Sequence, residues 1–195
     1  MMINNPKKKN QLLNKTIEHV DRLFGSKDPH FVKALYWLIQ LEPSADEAMK
    51  IAAYAHDIER AISPYNIGAF LLDEEVLRRH QENGGVEIHN FLLKEGADPD
   101  FASKVKTLID RHEIGGTYEQ NLIKDADSIS YFETNAEKHA DWIDKFSKEE
   151  VMAKFDWMYN RISFDKAKNI AKPLYIKVVK MLDKKAKDKN MIKKS

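Results

Sequence analysis

The chain has 195 residues, no cysteine and a formal net charge of +1, with 43% apolar and 32% charged residues. Zero cysteine excludes disulfides, thiolate metal sites and cysteine nucleophiles, and near-neutral charge gives no global argument for a nucleic-acid polymer or an anionic membrane as partner. No apolar run approaches the roughly 20 residues that span a bilayer, so the composition predicts one globular domain over residues 1–195 with any metal held by His, Asp and Glu.

The N-terminus, MMINNPKKKN, is polar and lacks the apolar segment of a secretion signal, so a cytoplasmic protein is the expectation. Lys7, Lys8 and Lys9 at one end, and Lys184, Lys185, Lys187, Lys189, Lys193 and Lys194 at the other, read as solvated basic tails. Between them the apolar spacing is helical throughout, with no strict alternation and no hairpin turn signal. Asp28-Pro29 supplies an N-cap and a first-turn proline for a helix through Leu41. Ser44 with Glu47 reads as a capping box for a helix to about Ile62. The stretch from Ser63 to Leu72 reads as the longest irregular piece, and it flanks the sequence HDIER. A helix from Asp73 runs to Lys94 and stops at Gly96. Asp98-Pro99 repeats the cap-plus-proline device, and that helix stops before Gly115-Gly116. A further helix covers about Tyr118 to Asn135. Ser147 and Glu150 form a second capping box, and a last long helix begins near Asp165 with Pro173 set to kink or restart it. The fold class predicted is all-α, with about eight helices, short connections and amphipathic C-terminal helices that suit a homodimer.

The inward faces of these helices carry polar residues. His30 shares a face with Ala34, Trp37, Leu38 and Leu41. His56 lies among alanines in AAYAHDIERA. His80 aligns with Leu77, Gly84, Ile88 and Phe91, where a mid-helix glycine implies a close backbone approach. His112 aligns with Phe101, Val105 and Leu108, and Asp127 with Ile123 and Ser130. A single buried histidine is ordinarily a satisfied core residue. Several imidazoles and carboxylates in one core are costly unless something shared compensates them, and a divalent cation does so. His89, nine positions after His80, should face away, and His139 reads as a surface residue.

The ordered set His30 … His56-Asp57 … His80 … His112 … Asp127 resembles the HD-domain superfamily of metal-dependent phosphohydrolases. HFVKAL, AAYAHDIER, HQENGG, LIDRHEIGG and IKDADSIS carry the likeness, which covers about residues 28–132. Residues 136–195 resemble nothing named and read as a helical cap over about 136–185. The resemblance implies a compact HD-type helical bundle and a metal-activated water attacking a nucleotide or other small phosphate ester. It implies a first metal site from His30, His56, Asp57 and Asp127, and a second from His80 and His112 with Asp57 bridging. The metals would be two divalent ions among Mn, Fe, Mg, Co and Zn. His19, in EHVDRLFG, is the rival to His30 as first ligand. Where the family often has glycine after His-Asp-Ile, this chain has Glu59, which could back a ligand, act as a general base or be solvated. Arg60 could meet a substrate phosphate, and so could Arg79, Arg111 and Lys124; the alternative for each is a surface charge. The same ligand set also suits a dinuclear iron oxygenase or a non-catalytic metal- or nucleotide-binding module.

Overall fold

A computed structural model describes residues 10–63 and 70–192. It is all-α: ten α-helices and one 3-10 turn, with no strand among the described residues. In chain order these are α1 (Gln11–Phe24), α2 (Pro29–Leu41), α3 (Glu47–Ala55), α4 (Glu59–Ile62), α5 (Glu74–Lys94), α6 (Pro99–Ile109), α7 (Tyr118–Thr134), α8 (Ala136–Ala140), the 3-10 turn Asp141–Asp144, α9 (Lys148–Asn160) and α10 (Asp165–Ile192). Most of the expected loop from Ser63 to Leu72, and the terminal lysines at 7–9 and 193–194, lie outside the described residues.

Most start signals act as expected. The Asp28, Asp73 and Asp98 side chains accept backbone N–H bonds at the heads of α2, α5 and α6. Ser147 and Glu150 form the reciprocal box of α9. Helix α5 ends on Gly96, whose φ of +82° suits only glycine without strain. Helix α3 departs from expectation. Its cap is Asp46, which accepts from the Met49 N–H at 2.9 Å, while Ser44 bonds Glu42 instead. Glu47 is occupied elsewhere, accepting the Leu13 N–H at 3.0 Å. That bond satisfies an orphan amide at the head of α1, whose N-cap Asn10 makes no side-chain cap bond. The sequence offers no start signal there, which is why α1 has no cap-based forecast.

The apolar residues form two contiguous clusters. One holds Val20, Phe31, Leu38, Ile51, Ile88 and Ile109. The other holds Ile129, Phe132, Phe155, Met158, Val178 and Leu182. Helix α7 contributes its first half to one and its second half to the other, and Trp37, Leu41 and Phe164 pack against both. Helix α10 runs through Pro173 without restarting and packs on α7, α8 and α9. Lys184 to Lys189 are its last turns rather than a loose tail. Lys189 sits 3.0 Å from Asp144, and Lys185 pairs with Asp141. Among the described residues no helix is long and apolar enough to cross a membrane.

Candidate metal centre

Two helices that should have continued break at the site. The His56–Ile58 segment separates α3 from α4, with bonds from Ile58 N–H to Ala55 O and from Arg60 N–H to Asp57 O, both 3.0 Å. In a regular helix adjacent side chains point about 100° apart. These three-residue-spaced bonds tighten the turn where His56 and Asp57 enter the same cluster. Likewise α6 ends at Ile109, and His112 sits in the following turn, its N–H on Ile109 O at 3.1 Å. The expected helix around each therefore stops short, because local tightening aims the side chain.

His30, His56, Asp57, His80, His112 and Asp127 are all buried and converge. His30 Nε2 lies 3.1 Å from His56 Nε2 and 3.1 Å from Asp127 Oδ1. His56 Nε2 is 3.4 Å from the same oxygen. Asp57 Oδ2 is 3.9 Å from both imidazoles. Its other oxygen, Oδ1, lies 2.8 Å from His80 Nε2 and 3.7 Å from His112 Nε2. The result is two triads, His30/His56/Asp57 and Asp57/His80/His112, each with potential ligand atoms within 4.8 Å of one another. His19 is elsewhere, stacked on Phe91 at 4.1 Å and 3.4 Å from Glu87. Of the two candidates for the first histidine, His30 is the one in the cluster.

The proton positions follow from the outer nitrogens. His56 Nδ1 faces Ala53 O at 3.0 Å and His112 Nδ1 faces Ile109 O at 2.9 Å. A carbonyl only accepts, so both Nδ1 atoms carry hydrogen. Ser130 donates its hydroxyl to His30 O at 2.7 Å and therefore accepts from His30 Nδ1. In the neutral rings, Nε2 of His30 and His56 then present bare lone pairs to each other, and His112 Nε2 is buried with no hydrogen-bond partner. Such an arrangement requires a positive charge between the nitrogens. The donor set of imidazole and carboxylate suits a divalent transition metal, so the residues fit one.

Without a metal, protons take that place. Burial alone would lower His80, but Asp57 and Glu59 outweigh it and push it up to about 9. His112 also reaches about 9, burial again being outweighed by the Asp57 and Glu113 carboxylates. Burial opposes ionisation of Asp57 and Asp127, yet Arg60 with His56, and Arg161 with His56, hold their respective carboxyls well below the usual range.

The remaining candidates separate. Glu59 is half-buried behind His80, its Oε2 2.8 Å from Nδ1, and does not line the adjoining cavity. Arg60 does line it and places Nε 2.8 Å from Asp57 Oδ2. Arg79 is exposed beside Glu75, Arg111 is tied to Gly115 O at 2.9 Å, and Lys124 to Ser163 Oγ at 2.7 Å. None of these three lines the cavity. His89 is half-buried beside Asn90 and away from the cluster, as its spacing implies. His139 is not a surface residue. It faces the cavity, Tyr131 OH lies 2.9 Å from its Nδ1, and burial lowers its pKa to about 3.

The cavity beside the cluster measures about 240 Å³. Its walls include residues that sequence reasoning did not reach: Glu113, Lys154, Arg161, Tyr131 and Trp142. Arg161, just past α9, bonds both Asp127 and Glu113 with one guanidinium, and its Nε donates to Ser128 Oγ at 2.9 Å. Glu113 follows His112 directly, so its position was legible; that it pairs with a residue 48 positions away was not. Comparison of the chain with protein-family models, curated proteins and solved structures finds no match.

Proposed function

We propose that this protein is a metal-dependent hydrolase of small phosphate esters, nucleotides among them, with a two-ion centre built on Asp57. The observation that carries the reading is the pair of buried triads joined at Asp57, beside a cavity walled by Arg60, Lys154 and Arg161. His30, His56, Asp57 and Asp127 would hold one ion, and Asp57, His80 and His112 the other. Divalent ions would supply a water nucleophile at neutral pH and a polarised phosphoryl oxygen. The chain's own residues supply orientation. Ala53 O, Ile109 O, Ser130 and Glu59 hold the four Nδ1 atoms, so each Nε2 is aimed inward without further reorganisation. Arg60 steadies Asp57 and lines the cavity, where it can pair with an anionic oxygen.

A dinuclear iron oxygenase could use the same ligands, but Arg60, Lys154 and Arg161 on one small cavity, with two divalent ions to offset the lining carboxylates, favour a phosphorylated substrate. A purely structural metal would be closed off by its ligands, whereas this cluster adjoins a cavity. The test is elemental analysis of the purified protein beside His112→Ala, followed by phosphate release from a panel of monoesters. Two metal equivalents falling to one, with hydrolysis by the wild type, is the expected result. No metal after reloading with Mn or Fe overturns the proposal.

A further inference from the structure

Two places in the cluster are built alike. His56 and Asp57 are consecutive residues in the tight turn after α3, and His112 and Glu113 are consecutive residues in the turn after α6. In each pair the histidine sets Nδ1 against the carbonyl three residues back, Ala53 O at 3.0 Å and Ile109 O at 2.9 Å. In each, the next residue is a buried carboxylate. Adjacent side chains on a regular helix diverge by about 100°, so both turns serve to bring such neighbours to one place. Glu113 is also held from α5: its N–H donates to Gln81 Oε1 at 2.9 Å, and Gln81 is the neighbour of His80.

The two carboxylates on Arg161 are alike as well. The guanidinium bonds Oδ2 of Asp127 and Oε2 of Glu113. The other oxygen of each faces imidazole. Asp127 Oδ1 lies 3.1 Å from His30 Nε2 and 3.4 Å from His56 Nε2, and Glu113 Oε1 lies 3.6 Å from His112 Nε2. That last nitrogen is buried with no hydrogen-bond partner, and Asp57 Oδ1 stands 3.7 Å from it. In the neutral ring it is a bare lone pair facing two carboxylate oxygens, which requires a cation among the three. Two atoms bound to one ion at about 2.1 Å lie about 3.0–3.4 Å apart, close to the separations found here.

We infer that Glu113, through Oε1, is a ligand of the second ion, the one held by His80 and His112. This rests on the two-ion reading above. The second site is then Asp57, His80, His112 and Glu113. That is two imidazoles and two carboxylates, the same donor set as His30, His56, Asp57 and Asp127. Arg161 becomes a brace between the halves, gripping one carboxylate of each site by the oxygen turned away from the imidazoles.

The experiment uses full-length wild type, Glu113→Gln and Glu113→Asp, stripped of metal and reloaded with Co(II). Chelator competition gives the affinity for each ion, and visible absorption reports the ligands around each cobalt. Glu113→Gln should bind the first ion as wild type does and the second at least about 100-fold more weakly, more than the loss of a group behind a ligand costs. The bands of the second cobalt should change while those of the first stay, and Glu113→Asp should regain part of the affinity. A crystal structure of the cobalt-loaded wild type, which needs no variant to fold, should place Oε1 about 2.0–2.2 Å from the second ion. Second-ion affinity within twofold of wild type in Glu113→Gln, equal weakening of both ions, or two bound ions with Oε1 beyond bonding distance overturns the inference and leaves the two-ion reading standing. A wild type that takes up fewer than two equivalents overturns both. Selective loss of the second ion in Glu113→Gln supports the inference even if the loaded wild type hydrolyses no phosphate ester, a result that overturns the hydrolase reading alone.

Discussion

Replacing Arg161 by methionine tests how the buried charges are balanced. The guanidinium is buried and bonds Asp127, the Glu113 side chain, the Glu113 carbonyl at 3.3 Å and Ser128 Oγ at 2.9 Å. Methionine keeps much of the stem's length but removes the guanidinium that lies 4.5 Å from the Trp157 ring centre, leaving two carboxylates buried at 4% and 5% exposure. Removing one partner of a buried ion pair costs about 3–5 kcal/mol. In a chain of 195 residues that corresponds to a fall in Tm on the order of 10 °C. Urea unfolding of the metal-free wild type and Arg161→Met, followed by circular dichroism, measures it directly. The triple variant Glu113→Gln, Asp127→Asn, Arg161→Met should recover part of the loss, because the two carboxylates that lost the guanidinium are then no longer charged. Adding a divalent metal to Arg161→Met should also narrow the deficit, since Asp127 would gain a second source of compensation. A loss below about 1 kcal/mol would refute the reasoning, for it would mean that His30 and His56 already balance Asp127 and that Glu113 needs no partner.

Asp57→Ala should remove metal binding altogether and leave helical circular dichroism intact, since Asp57 is the residue the two triads share; retained metal would contradict the proposed centre. The metal-free protein should be most stable near pH 6.5, because His139, whose pKa burial lowers to about 3, costs stability as the pH falls below the ordinary value of 6.5. His80 and His112 have folded pKa values raised to about 9, so their contribution is complete below the ordinary value of 6.5 and is lost as the pH climbs to 9. Asp57 and Asp127 are depressed, so theirs is complete above 3.8 and lost on further acidification. Urea midpoints at pH 6, 7.5 and 9 should therefore fall in that order, and metal loading should flatten the trend because ions replace the protons. Gly85→Ala should destabilise by about 1–3 kcal/mol, since a Cβ there would meet Asp110 Oδ1 at 2.0 Å and Lys106 O at 3.1 Å. Gly84→Ala, whose nearest contact would be His56 O at 3.4 Å, should cost less, and denaturant midpoints of the pair decide.

Those two glycines show how far the sequence can be read. A mid-helix glycine signals close approach, and Gly84 does lie against the His56 backbone, but the tighter place is its neighbour. Aspartate caps and helix-period faces are local, which is why α2, α5 and α6 and the six inward polar residues were legible. What was not legible depended on distant partners. Glu47 looked like half of a capping box and serves α1 instead. His139 looked like a surface residue because Phe70, which packs on it together with nearby Trp142, is remote in sequence. Arg161 and Lys154 lie in a segment without recognisable motifs, and only tertiary packing of α9 against α7 brings them to the cluster. Arg79, Arg111 and Lys124 made the opposite case: adjacency to a clustered residue in sequence put none of them in the cavity.

The four imidazoles are alike in type but not in what stands behind them. His56 and His112 each lean on a carbonyl three residues back, a support fixed by the chain's own turn. His30 leans on an alcohol, Ser130, and His80 on a carboxylate, Glu59. A carboxylate behind an imidazole makes its inner nitrogen a stronger electron donor than an alcohol or a carbonyl does. The two halves of the cluster are thus electronically unequal, and the inequality resides in side chains that substitution can exchange without moving the backbone. Glu59 and Ser130 are adjusting screws: a change at either would retune one half of the centre and leave the other as it was.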